Sequence, residues 1–120
     1  MKLPEYFTDK ELACKCGCGL MPNGRAVELL YALRILMRFP ITVNSGARCE
    51  AYNKTIPGSS DNSGHIIGKA FDIKVRNHKA NEHSLIENAI KCGFTGIGLK
   101  DNTFLHVDIR WPKAVWGYNK

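Results

Sequence analysis

Apolar residues recur at two different periods along this chain, and the change between them marks its organisation. Thr8-Asp9-Lys10-Glu11 has the form of a capping box, with Thr8 as N-cap and Glu11 at the third helical position. A short helical turn therefore starts there and ends in the glycine-rich Cys16-Gly17-Cys18-Gly19. Asn23 is placed to cap a longer helix to about Arg38, in which Val27, Leu30, Leu33 and Met37 fall at helical spacing and which Pro40 closes. Ile41-Thr42-Val43 is β-branched and predicts a strand. It feeds a loop from Asn44 to Lys69 containing Gly46, Pro57, Gly58, Gly64 and Gly68, interrupted by short helical turns such as one around Glu50 to Lys54. A loop of that length in so small a chain is usually functional or disordered.

From Ala70 the period becomes two. Phe71, Ile73 and Val75 share one face of a predicted strand, with Asp72 and Lys74 on the other. A helix is expected from about Lys79 to Cys92, with Leu85, Ile86, Ala89 and Ile90 apolar and Gly93 as the residue that ends it. Gly96 to Leu99 and Phe104 to Arg110 predict a β-hairpin with Leu105, Val107 and Ile109 on one face and His106, Asp108 and Arg110 on the other. Helices followed by a small, mostly antiparallel sheet with a helix inserted give an α+β class. We expect a single domain over 1–120, with a helical part over about 1–40 and an α+β core over about 41–120.

The length of 120 residues suits one core, and roughly two thirds of the unfolded surface can be buried at that size without help from disulfides or metal. The hydrophobic fraction of 44% and charged fraction of 23% are those of an ordinary globular chain. A net charge of +6 favours anionic partners, but Lys and Arg are scattered rather than gathered, which argues against a nucleic-acid stripe. No apolar run approaches the roughly eighteen residues of a membrane span, and the first residues lack the apolar segment of a secretory signal. The expectation is synthesis in the cytoplasm, no membrane insertion, and a monomer.

Against this background three residues stand out. His65 lies in a glycine-flanked loop just before the strand that carries Asp72 on its polar face, and His106 lies on the polar face of a neighbouring strand. Two imidazoles and a carboxylate with a fourth position left for water form the donor set of a catalytic rather than a structural zinc. Spacing alone weighs about evenly between that reading and ordinary strand polar groups, with His106 satisfied by Asp108. His78 and His83 have no such context.

Ser45-Gly46-Ala47-Arg48-Cys49-Glu50-Ala51-Tyr52-Asn53, Ser63-Gly64-His65 through Asp72-Ile73, and His106-Val107-Asp108-Ile109-Arg110 resemble, in order, the motifs of a known group. These are the zinc D-alanyl-D-alanine carboxypeptidases and L-alanyl-D-glutamate murein endopeptidases, whose fold is shared with the hedgehog signalling domain. The resemblance covers roughly Ile41 to Trp111. It implies a peptidase of peptidoglycan stem peptides, of the kind bacteriophages carry as endolysins and that acts on the cell wall after release. It implies one zinc ion held by His65, Asp72 and His106, with Arg48 orienting substrate or its oxyanion and Ser63 supporting the His65 loop or the substrate. Many members carry a Glu or Asp three residues before the last zinc histidine, where this chain has Thr103. Asp108 matches a His-x-Asp variant and is the first candidate for the proton acceptor, with the orienting of a ligand imidazole as its other reading; Asp101 is the remaining candidate.

Two further groups stay open. Cys14, Cys16 and Cys18 invite a metal or redox reading, to which Cys49 and Cys92 contribute only if the fold brings them close. Reduced cysteines in a compact turn are the expectation, with Cys92 packing at a helix end. Trp111 is expected in the core, while Trp116 and Tyr118 either cover a sheet edge or stack on sugars. The competing functions are a zinc-stabilised binding module of the same fold, catalytically weak or inactive, and a basic nucleic-acid binder.

Overall fold

The computed structural model describes residues 6–38, 40–56, 65, 68–74, 79–100 and 104–117. In chain order the elements are α1 (Asp9–Leu12), α2 (Gly24–Met37), β1 (Val43–Ser45), α3 (Glu50–Asn53), β2 (Ala70–Lys74), α4 (Lys79–Cys92), β3 (Gly96–Lys100), β4 (Phe104–Asp108) and β5 (Ala114–Gly117). The strands form one open sheet in the order β1-β2-β4-β3-β5, antiparallel throughout except for the parallel β3–β5 pair. The class is α+β, as the change of period indicates. No helix among the described residues is long and apolar enough to cross a membrane.

Local chemistry accounts for the helix starts. The Thr8 hydroxyl accepts from the Glu11 N–H at 3.2 Å while the Glu11 carboxylate accepts from the Thr8 N–H at 3.0 Å, which satisfies two end donors reciprocally. Asn23 Oδ1 accepts from the N–H groups of Arg25 and Ala26 and so caps α2. Helix α2 buries Ala26, Leu29, Leu30, Leu33 and Met37, and α4 contributes Leu85 and Ala89. Both pack into one core with Phe71, Ile73, Ile97, Leu105 and Val107, the inward residues of β2, β3 and β4. The opposite face of the sheet is thereby left to polar side chains.

Several details differ from the sequence-based expectation. The first strand is Val43–Ser45 rather than Ile41–Val43, because its ladder with β2 runs on to pair Ser45 with Asp72 across a local irregularity. Ile41 is buried all the same, so its apolar character reports core contact and not strand pairing. Ile90 is exposed on α4 although it fits the helical period. Trp111, expected in the core, is 85% exposed. It lies in the crossover from β4 to β5, a strand that the sequence pattern did not reveal. Thr95 anchors this crossover: its N–H donates to the Asp108 carbonyl, its hydroxyl to the Arg110 carbonyl, and its own carbonyl accepts from Ala114 N–H. Val75, His78 and Tyr118 lie outside the described residues.

The segment joining β1 to α3 runs against α1. The Ala47 N–H donates to the Leu12 carbonyl at 2.9 Å, and a Cβ added to Gly46 would fall on that same carbonyl oxygen. Gly46→Ala is therefore expected to destabilise the fold by about 1–3 kcal/mol, the usual cost of overpacking. Urea denaturation measures it, and an unchanged midpoint would show that the backbone approach is not required.

Candidate metal centre

Sheet register assembles the centre of the site. Ser45 pairs with Asp72, Asp72 with His106, His106 with Gly98, and Gly98 with Trp116, giving one row of residues across all five strands. Residues directly opposite on neighbouring strands have Cβ atoms about 5 Å apart, close enough for Asp72 and His106 to meet. Their contact follows: His106 Nδ1 lies 3.1 Å from Asp72 Oδ1. His65 arrives from the loop before β2, with its Nε2 at 3.3 Å from the same oxygen. One donor atom from each of His65, Asp72 and His106 thus lies within 4.8 Å of the other two.

The far side of each imidazole is held. His65 Nδ1 is 2.6 Å from the Gly46 carbonyl oxygen. A carbonyl only accepts, so Nδ1 carries the proton and Nε2 presents its lone pair toward Asp72. His106 Nε2 is 2.7 Å from Asp108 Oδ2, and by the same reasoning its Nδ1 lone pair faces Asp72. Two nitrogen lone pairs and a carboxylate oxygen gathered this closely form a donor set that could hold a metal cation. The residues therefore fit a zinc ion with two histidines and one carboxylate as ligands. Imidazoles oriented from behind by a carbonyl and a carboxylate are the usual second layer of such sites.

The electrostatics agree. Burial opposes ionisation of Asp72, but hydrogen bonds and charge from His106 and His65 outweigh it and hold the carboxyl well below its ordinary range. Burial likewise opposes protonation of His106, yet its bonds to Asp108 and Asp72 push its pKa up.

Arg48 and Asp108 lie on either side of the three ligands. Arg48 is 8% exposed and donates from Nη2 to Asp72 Oδ2 (3.4 Å), from Nη1 to Asn53 Oδ1 (3.0 Å) and from Nε to Ser45 Oγ (3.2 Å). It steadies the ligand carboxylate through the oxygen that the histidines do not face. Asp108 is 2% exposed and accepts from the Nε and Nη2 of Arg110 as well as from its backbone N–H. Burial opposes its ionisation, but His106 and Arg110 hold it well below the ordinary carboxylate range. Ser63, Asp101 and Thr103 lie outside the described residues.

Sequence reasoning missed the supports. A Cβ at Gly96 would fall on the Asp108 carboxylate, and one at Gly98 on the Trp116 ring, so the two glycines of β3 clear space for both groups. Trp116 lies against His106 with centroids 5.6 Å apart, and the Arg110 guanidinium stacks over Trp116 at 4.5 Å. The alternation Gly96-Ile97-Gly98 was the available signal: glycine at every second strand position marks a close approach on one face.

A family model described as Peptidase M15 matches residues 5–108. The match takes in most of the chain and every residue of the three-ligand group, and the chain belongs to this family of zinc-dependent metallopeptidases. No curated protein matches it. Given the hydrogen bond from His106 to Asp108, Asp108→Asn is expected to weaken zinc binding about 10- to 100-fold while leaving the chain folded. Competition with a chromophoric chelator measures this, and wild-type affinity in the variant would contradict an orienting role.

Proposed function

We propose that the chain hydrolyses peptide bonds in the stem peptides of peptidoglycan, at the centre formed by His65, Asp72 and His106. The observation that carries this reading is the convergence of His65 Nε2, Asp72 Oδ1 and His106 Nδ1, each held from behind by a separate partner. Bound there, zinc supplies Lewis acidity toward a carbonyl and lowers the pKa of a water.

The protein's own groups divide the remaining work. Arg48 holds Asp72 in place through Oδ2, and its guanidinium stands beside the ligands, where charge develops on a substrate carbonyl or is carried by a stem-peptide carboxylate. Asp108 holds the Nε2 proton of His106 and is itself gripped by Arg110, so it acts as a positioning residue. Asp101, five residues before His106 in the sequence, would then be the candidate to accept a proton from a water at the centre. Ser63, two residues before His65, is proposed to support that loop or the substrate. The net charge of +6 suits a polymer rich in carboxylates. The Arg110–Trp116 stack, against His106, offers a flat surface beside the site. Action on the wall as a monomer after release from the producing cell, as a phage-type lysin acts, completes the proposal.

His65→Ala is expected to abolish both zinc retention at this centre and the release of amino groups from purified peptidoglycan. Full activity in that variant would sink the proposal. Arg48→Lys should keep zinc but lower kcat/KM about 100-fold, since a point charge replaces a planar fork next to developing negative charge. Asp101→Asn should lower kcat with zinc retained, the opposite signature to Asp108→Asn. Mass spectrometry of products from a defined muropeptide identifies the bond. A zinc-loaded chain that releases no product would instead be a binding module of the same fold.

A further inference from the structure

A second cluster of metal-ligating side chains lies outside the centre described above. Cys14, Cys16 and Cys18 come from the turn after α1, and Cys49 comes from the N-cap of α3, more than thirty residues later. All four Sγ atoms lie within 4.8 Å of one another. The separations are 3.4 Å for Cys14–Cys16, 3.8 Å for Cys14–Cys49 and 3.7 Å for Cys16–Cys49. A tetrahedral ion with metal–sulfur bonds of about 2.3 Å has sulfur–sulfur edges of about 3.8 Å. Three nearly equal separations describe a face of that tetrahedron, whereas a disulfide would draw one pair together and leave the third sulfur out.

We propose that Cys14, Cys16, Cys18 and Cys49 bind a second, structural zinc ion in a closed four-thiolate site. The backbone is shaped for it. Alternate side chains of an extended segment point the same way but stand roughly 6.6 Å apart. Here Gly17 and Gly19, both at φ +87°, turn the chain between and after the cysteines so that the sulfurs converge. Backbone N–H groups are directed at sulfur: Cys49 N–H at Cys14 Sγ (3.3 Å) and Tyr52 N–H at Cys49 Sγ (3.4 Å). Such donors favour thiolate over thiol.

Soft thiolates select a thiophilic ion such as zinc over magnesium or calcium. Four protein ligands leave no open position, so the ion has a structural role. It ties α1 to residues 45–49, from which Gly46 holds His65 and Arg48 holds Asp72.

The test is zinc per chain, measured by elemental analysis on the full chain purified from zinc-supplemented cells. Two ions are expected in the wild type and one in His65→Ala, which separates this site from the other. Organomercurial titration of the His65→Ala protein should release that remaining ion as the thiols react. Cobalt substitution should give the intense sulfur-to-metal charge-transfer absorption of a tetrahedral thiolate site, and Cys18→Ser, at an exposed position, should weaken or remove it. Complete loss of zinc in His65→Ala, free reaction of all five thiols in the zinc-loaded wild type, or a disulfide between Cys14 and Cys49 by mass spectrometry would each overturn the proposal.

Discussion

The contact between Asp72 and His106 across β2 and β4 is the constraint on which the site depends. It is a cross-strand pair, so its geometry is that of the sheet and needs no special loop. Strands alternate faces with period two, and the residues flanking this pair, Phe71, Ile73, Leu105 and Val107, are all fully buried. A slip of one residue between β2 and β4 would bring Asp72 or His106 toward the core and an apolar side chain toward the ligand position. The hydrophobic core and the metal donors therefore specify the same register, from opposite faces of one sheet.

Around that pair, burial makes each polar group depend on its neighbour. Asp72 is shared by two imidazoles on one oxygen and by Arg48 on the other, and Asp108 is shared by His106 and Arg110. An ion pair this enclosed gives little net stability, because desolvation offsets much of the attraction. Its value lies in direction: every nitrogen and oxygen that faces the ligand point has its orientation set elsewhere.

Much of this was legible in the sequence because the signals are local or periodic. The Thr8–Glu11 capping box, the Asn23 cap, the limits of α4 and the outward face of β4 follow from spacing and hydrogen-bonding chemistry within a few residues. His65, Asp72 and His106 stood out for the same reason: a histidine beside glycines, and polar residues on strand faces. What stayed hidden depends on contacts between distant segments. Cys49 meets Cys14 and Cys16 only once Gly46 and Ala47 have packed on Leu12. The strand Ala114–Gly117 is short and gains its place from Thr95 rather than from its own pattern. Trp111 was misplaced because an aromatic residue ordinarily indicates burial, and here it sits in an exposed crossover. Asp108 keeps two readings in the sequence, proton acceptor or orienting partner of a ligand imidazole, and its enclosure by His106 and Arg110 suits the second.

The two ligand imidazoles are anchored by different kinds of partner, and this gives them different capacities for change. His65 leans on the carbonyl of Gly46, an atom that every amino acid possesses. No side-chain substitution deletes that acceptor; it can only be moved by shifting the backbone. His106 leans on a carboxylate that a single codon change converts to an amide, an alcohol or nothing. One side of the centre is thus resistant to sequence drift, while the other can be tuned. An engineer seeking to adjust metal affinity or the basicity of a ligand without dismantling the site would begin at Asp108 and leave the Gly46 side untouched.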